Sequence, residues 1–156
     1  MKLGALALAL FLMAMPVTSP AQDAGLASDE QILLKQVMAD KRAVYAANLE
    51  LSDAEAAAFW PVYDAYEARV KKVDDRFLAL VNSYAEKYET LTETDAAAML
   101  KEKMAVEKER AALKQTYTKR IAKVVPAKKA LRFAQLETRI EILIRRNVYS
   151  LIPLAR

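Results

Sequence analysis

The chain has no cysteine and no histidine among its 156 residues. Without cysteine there is no disulfide to staple a small core, no thiolate nucleophile and no sulfur to carry a lipid anchor. Without histidine the usual ligands of zinc and copper are gone, together with the Ser-His and Cys-His pairs and the imidazole bases on which most hydrolases depend. Glycine is nearly as scarce. Only Gly4 and Gly25 occur, so nothing beyond residue 25 offers a phosphate-cradling loop or the punctuation of a series of β-hairpins. Apolar runs long enough to span a membrane are missing after the first fifteen residues. These absences exclude most enzyme classes, and no catalytic residue, cofactor or metal is expected.

What is present begins with a leader. Lys2 supplies a short basic start, Leu3 to Met15 is an apolar run, and Ser19-Pro20-Ala21 ends the segment in the manner that a signal peptidase reads. The run has 13 residues, too few to cross roughly 30 Å of hydrocarbon as a helix. Residues 1–21 are therefore expected to be a cleaved signal peptide, and 22–156 a single helical domain exported to the periplasm.

The exported part reads as helix after helix, an all-α chain. A first helix is expected from Ser28, whose hydroxyl caps and whose Gln31 closes a capping box, to about Asn48, with Ile32, Leu33, Val37, Val44 and Tyr45 on its apolar side. The second has a clear start at Leu51-Ser52-Asp53-Ala54-Glu55, with Ser52 as N-cap, Glu55 at the third helical position and Leu51 as hydrophobic staple. Along it Tyr63, Tyr66, Val70, Val73, Phe77, Leu80 and Tyr84 recur in steps of three and four, a coiled-coil-like seam. Pro61 inside this helix removes one backbone donor, and a kink is expected near Trp60. A third helix follows the cap at Thr92, with Met99, Val106, Leu113, Tyr117, Ile121 and Val124 on a thin apolar face among many charges. The fourth starts near Pro126 and presents Phe133, Leu136, Ile140, Leu143 and Ile144 before ending near Pro153. The architecture expected is an elongated hairpin or cradle with two long antiparallel helices.

Charge is divided unevenly along the chain. From Asp23 to Glu109 there are 18 acidic and 11 basic residues, and from Arg110 to Arg156 there are 2 acidic and 12 basic. Lys128, Arg132, Arg139 and Arg146 line up along the fourth helix, with Gln135 and Ile142 filling the stripe between them. Such a basic, partly apolar surface suits acidic or partly unfolded polypeptides. Pairing with the acidic half of the chain is the alternative. Nucleic acid is not an expected partner, because export removes the chain from it. An anionic membrane surface is a further alternative. The candidate protein-binding surface comprises Arg110, Lys114, Lys128, Arg132, Arg139 and Arg146, chosen because no acidic partner lies close in sequence. Trp60 beside Pro61 reads first as packing. Tyr63, Tyr66, Tyr84 and Tyr88 read first as a helix interface, and the carboxylates Asp64, Glu67, Asp74 and Asp75 as a solvated face.

The helix-start motif carries a resemblance. Leu51-Ser52-Asp53-Ala54-Glu55 resembles the Leu-Thr-x-x-Gln motif of the Spy/CpxP group of periplasmic proteins, with Ser for Thr and Glu for Gln, both of which keep the capping chemistry. The second copy would fall at Val124-Val125-Pro126-Ala127-Lys128, where only the proline and the following Lys-rich turn are alike, and a charged helix of the type Asp95 to Met104 lies between them. The resemblance implies an antiparallel homodimer of long bent helices and an ATP-independent chaperone of the envelope stress response that binds non-native or partner polypeptides. Docking on the periplasmic domain of a sensor kinase is the variant implied by another branch. Some members of the group hold zinc through His or Cys, which this chain lacks.

Overall fold

The computed structural model describes Ile32, Lys35 and residues 39–155. The expected leader with its cut after Ala21, the capping box at Ser28 and Gln31, and the apolar positions Leu33 and Val37 lie outside the described residues. Four helices are present and no strand is found among the described residues: α1 (described over 39–49), α2 (Asp53–Lys87), α3 (Glu93–Ile121) and α4 (Ala127–Tyr149).

Each junction has a local chemical cause. Glu50 adopts φ 49°, a left-handed conformation uncommon for a side-chain-bearing residue, and turns the chain between α1 and α2. The capping box forms as expected: Ser52 Oγ accepts the Glu55 amide at 3.4 Å, and the Glu55 carboxylate accepts the Ser52 amide at 2.8 Å. Leu51 packs half-buried against the core. From there α2 runs as one helix of 35 residues, roughly 52 Å, with Pro61 inside it. A single 3₁₀ turn, Tyr88–Thr90, leads to Thr92, whose Oγ1 accepts the Asp95 amide at 3.1 Å and starts α3. At the other end of α3 the amides of Val124 and Val125 donate to the Ile121 carbonyl at 2.9 and 3.1 Å, and Pro126 stands as the N-cap of α4. Val124, expected on the face of α3, thus belongs to the turn after it.

α2 and α3 form an antiparallel hairpin whose register is tied by Lys87 to Asp95, Arg76 to Glu102 at 2.8 Å and to Glu109 at 2.5 Å, and Arg110 to Asp74. α4 returns antiparallel to α3, and α1 closes the same end of the molecule. The core sits at this closed end, where Val44, Tyr45 and Leu49 of α1 meet Phe59, Tyr63, Tyr66 and Val70 of α2, Tyr117 and Ile121 of α3, and Phe133, Leu136 and Ile140 of α4. Rings rather than aliphatic side chains fill its centre: Tyr45 lies 5.0 Å from Tyr63 and 5.5 Å from Phe133, and Tyr66 lies 5.3 Å from Tyr117, centroid to centroid. Trp60 packs edge-on to Phe59 and Tyr63 and carries the Arg42 guanidinium 4.0 Å from its ring, as the packing reading expects. The far end of the hairpin is thinner. Among the described residues, the last turns of α2, the first turns of α3, the end of α4 and the segment after it cover one another there.

Candidate functional site

Three assemblies of side chains compete for a role, and the most deeply buried is polar. Glu137, 1 % exposed, stands in the apolar stripe of α4 between Phe133 and Ile140. Its carboxylate accepts the hydroxyl of Tyr45, the hydroxyl of Tyr66 at 2.7 Å and the ammonium of Lys41 at 2.8 Å. Lys41 also reaches Glu67 at 2.7 Å and lies over the rings of both tyrosines. Burial holds the Tyr45, Tyr63 and Tyr66 phenols well above their ordinary range, and negative carboxylates nearby add to it. Burial works against the charge on Lys41, but the two carboxylates outweigh it and the net shift is upward. Burial raises Glu67 despite Lys41 beside it. Among the described residues no buried side-chain nitrogen or oxygen is left without a partner. With every buried polar group satisfied, this network ties α1 to α2 and α4.

The second assembly holds the cations expected at a binding surface, and the structure divides them into two sets. Arg110 and Lys114 face inward. Arg110 is buried, pairs with Asp74 and lies 3.3 Å from Glu141; Lys114 lies 2.7 Å from the same Glu141, which also receives Arg145 at 3.3 Å. Burial opposes ionisation of Glu141, yet Lys114 and the two arginines bring its carboxyl below the usual range. Asp74 goes the other way, raised by burial against the pull of Arg110. Arg110 and Lys114 thus follow the alternative reading, pairing within the chain: their partners come from α2 and α4, distant in sequence and adjacent in space.

The outward set is Lys128, Arg132, Arg139 and Arg146, all exposed on one side of α4. Arg132 donates to the Asn48 carbonyl at 3.0 Å and lies 3.4 Å from Glu50, so its charge is partly met at the surface. Lys128 and Arg139 make no ion pair among the described residues. Their neighbour Lys129, by contrast, lies 2.6 Å from both the Glu55 carboxylate and the Glu50 carbonyl. The carboxylates expected to form a solvated face are each matched: Asp64 by Arg42, Glu67 by Lys41, Asp74 by Arg110 and Asp75 by Lys71.

The third assembly is apolar and lies at the thin end. The seam of α2 is buried through Val73, but Phe77, Leu80 and Tyr84 emerge half-covered. With Val81, Leu91, Met99, Leu100, Tyr149 and Ile152 they line a groove of about 300 Å³ whose one charged neighbour is Lys103. A second groove of about 440 Å³ lies on the other side of Ile152, between Leu78, Val81, Tyr84, Tyr88, Val148 and Leu151. The segment after α4 crosses between them, held where the Tyr84 hydroxyl donates to the Pro153 carbonyl at 3.0 Å. Leu100 and Met104 stand exposed on α3 nearby, at 59 % and 62 %.

Sequence reasoning missed Glu137 as the hub of the core, and missed the inward turn of Arg110. One signal was present. Glu137 lies four residues after Phe133 and three before Ile140, and Arg110 lies four after Val106 and three before Leu113; a charged residue at a stripe position is a candidate for buried pairing. Among the described residues no group of three or more carboxylates is placed to hold a metal ion, and no helix is long and apolar enough to cross a membrane. No family model, curated protein or solved structure matches the chain.

Proposed function

We propose that the protein is a periplasmic, ATP-independent chaperone-like binder that holds apolar segments of non-native or partner polypeptides and performs no chemical reaction. The single observation that carries this reading is the groove at the thin end of the hairpin. Its walls are aromatic and aliphatic, it is open to solvent, and apolar surface of that kind on a folded chain marks sites of association. Methionine at its edge, Met99 in the wall and Met104 beside it, suits varied apolar shapes because the unbranched thioether adapts its conformation. The leader pattern of residues 1–21 supports export, and the helix-start motif at Leu51 to Glu55 supports the likeness to the Spy/CpxP group, from which pairing as a homodimer is also expected. The long hairpin with its groove on one end is the shape on which such a role would rest.

Light scattering of a reduced, aggregating model protein tests the proposal. Stoichiometric amounts of the chain are expected to suppress aggregation, and Leu100→Asp, at an exposed position on the groove wall, is expected to need roughly tenfold more protein for the same effect with an unchanged circular dichroism melt. Unchanged aggregation at several-fold excess of the wild-type protein ends this reading.

A further inference from the structure

We infer that the outward face of α4 docks on an anionic bilayer surface, with Lys128 and Arg139 meeting lipid phosphates and Leu131 and Ile142 seated among the headgroups. The argument starts from what α4 turns inward. Phe133, Leu136, Ile140 and Leu143 are buried, and the only two carboxylates of the helix, Glu137 and Glu141, are both directed into the molecule and consumed by Tyr45, Tyr66, Lys41, Lys114, Arg110 and Arg145. The outward face is left with cations and no acid.

Helical geometry arranges that face. At 100° per residue, Lys128, Arg132, Arg139 and Arg146 fall along one edge of a roughly 100° arc, and Leu131 and Ile142 along the other. Leu131 is 60 % and Ile142 58 % exposed, so the apolar edge meets solvent along the middle of the helix. Near the start of α4, Lys119 in the last turn of α3 and Lys123 in the turn after it are also exposed and make no ion pair among the described residues.

A row of charge beside a row of apolar groups on one straight helix is the arrangement that lies in the plane of a lipid interface, where headgroup phosphates take the cations and the acyl boundary takes the apolar side chains. An extended polypeptide is served less well by it. The face is the convex side of a single helix, whereas the concave apolar groove lies at the far end of the hairpin. The inference stands independently of the groove.

Vesicle flotation of the purified full-length protein tests it, comparing phosphatidylcholine vesicles with mixed phosphatidylglycerol–phosphatidylcholine vesicles at low and high salt. Binding is expected on the anionic vesicles, falling with salt, and the doubly substituted Lys128→Glu, Arg139→Glu protein is expected to bind roughly tenfold less or weaker still. Both side chains are exposed and make no ion pair among the described residues, so the melt should not change; if it does, Lys128→Gln with Arg139→Gln replaces the reversal. Leu131→Ser with Ile142→Ser should weaken binding on the same vesicles. Equal binding to both lipids, or binding indifferent to these substitutions, overturns the inference, because the apolar run Leu3 to Met15 would act in that way by itself. Absence of binding to the anionic vesicles overturns it as well. Capture of poly-L-glutamate through Lys128 and Arg139 without vesicle binding assigns the face to acidic polypeptides instead.

Discussion

At the scale of single residues, the tyrosines and Lys41 around Glu137 set how the protein responds to base. The phenols of Tyr45, Tyr63 and Tyr66 and the ammonium of Lys41 all hold their protons more tightly in the folded state than the ordinary values of 10.0 and 10.5. Above about pH 10 the unfolded chain therefore binds fewer protons than the native one, which gives stability a negative slope with pH. The contribution is complete below that point and is lost as pH rises. Melting midpoints followed by circular dichroism should be level up to about pH 9 and fall steeply above pH 10, and Tyr45→Phe should make the fall shallower. The acid limb should be gentler. Glu67 and Asp74 are raised by burial and favour lower pH, whereas Glu141 and the exposed Glu55, Asp95 and Glu102 are lowered by their hydrogen-bond and cationic partners and lose their contribution as pH falls, so the terms oppose and the exposed ones are weakened by solvent. A melting profile steeper in acid than in base would contradict this assignment of charges.

At the scale of elements, α2 is the member to question, since it carries a proline nine positions into a helix of 35 residues. Pro61 cannot donate to the carbonyl of Ala57, and its ring crowds that carbonyl. The helix continues through it because the same stretch buries Phe59, Tyr63 and Tyr66, and packing on that scale outweighs a local backbone cost. Pro61 itself is exposed, so replacing it removes little packing. Pro61→Ala should stabilise the protein by about 1–3 kcal/mol in denaturant titration. A loss of stability would mean that a bend at this position is needed for the fit of α1 and α4 to the core. The capping box at Ser52 and Glu55 was legible beforehand because it is a contact between residues three apart, whereas the further tie from Glu55 to Lys129 depended on where α4 lies.

At the scale of the whole molecule, the two ends differ in how many elements cover them. Four helices and an aromatic centre close one end, while the other has a hairpin, a short segment after α4 and two apolar grooves. Local opening should follow this gradient. Hydrogen exchange read by mass spectrometry is expected to be slow in peptides covering 59–70 and 117–140, and at least about tenfold faster across 80–100. Uniform protection would imply that something further covers the thin end in solution. A groove on the less stable end also fits the need of a polypeptide binder to adjust its walls to different occupants.

Composition and periodicity by themselves determined the helical class, the starts of α2 and α3, the apolar stripes of all three long helices and the outward row Lys128, Arg132, Arg139 and Arg146. These are consequences of spacing along one helix or of hydrogen bonds between near neighbours, so the chain carries them locally. Three things were decided only by tertiary structure. The seam of α2 is core as far as Val73 and groove wall beyond it, because an apolar stripe reads the same whether or not a neighbour covers it. Among the described residues Arg110 and Lys114 are matched and Lys128 and Arg139 are not, because a charge is screened or paired according to which helices lie beside it, not by its neighbours in sequence. Glu137 sits at the centre of the core for the same reason: its three partners come from α1 and α2, and only the packing of α4 against both brings them within reach of one carboxylate.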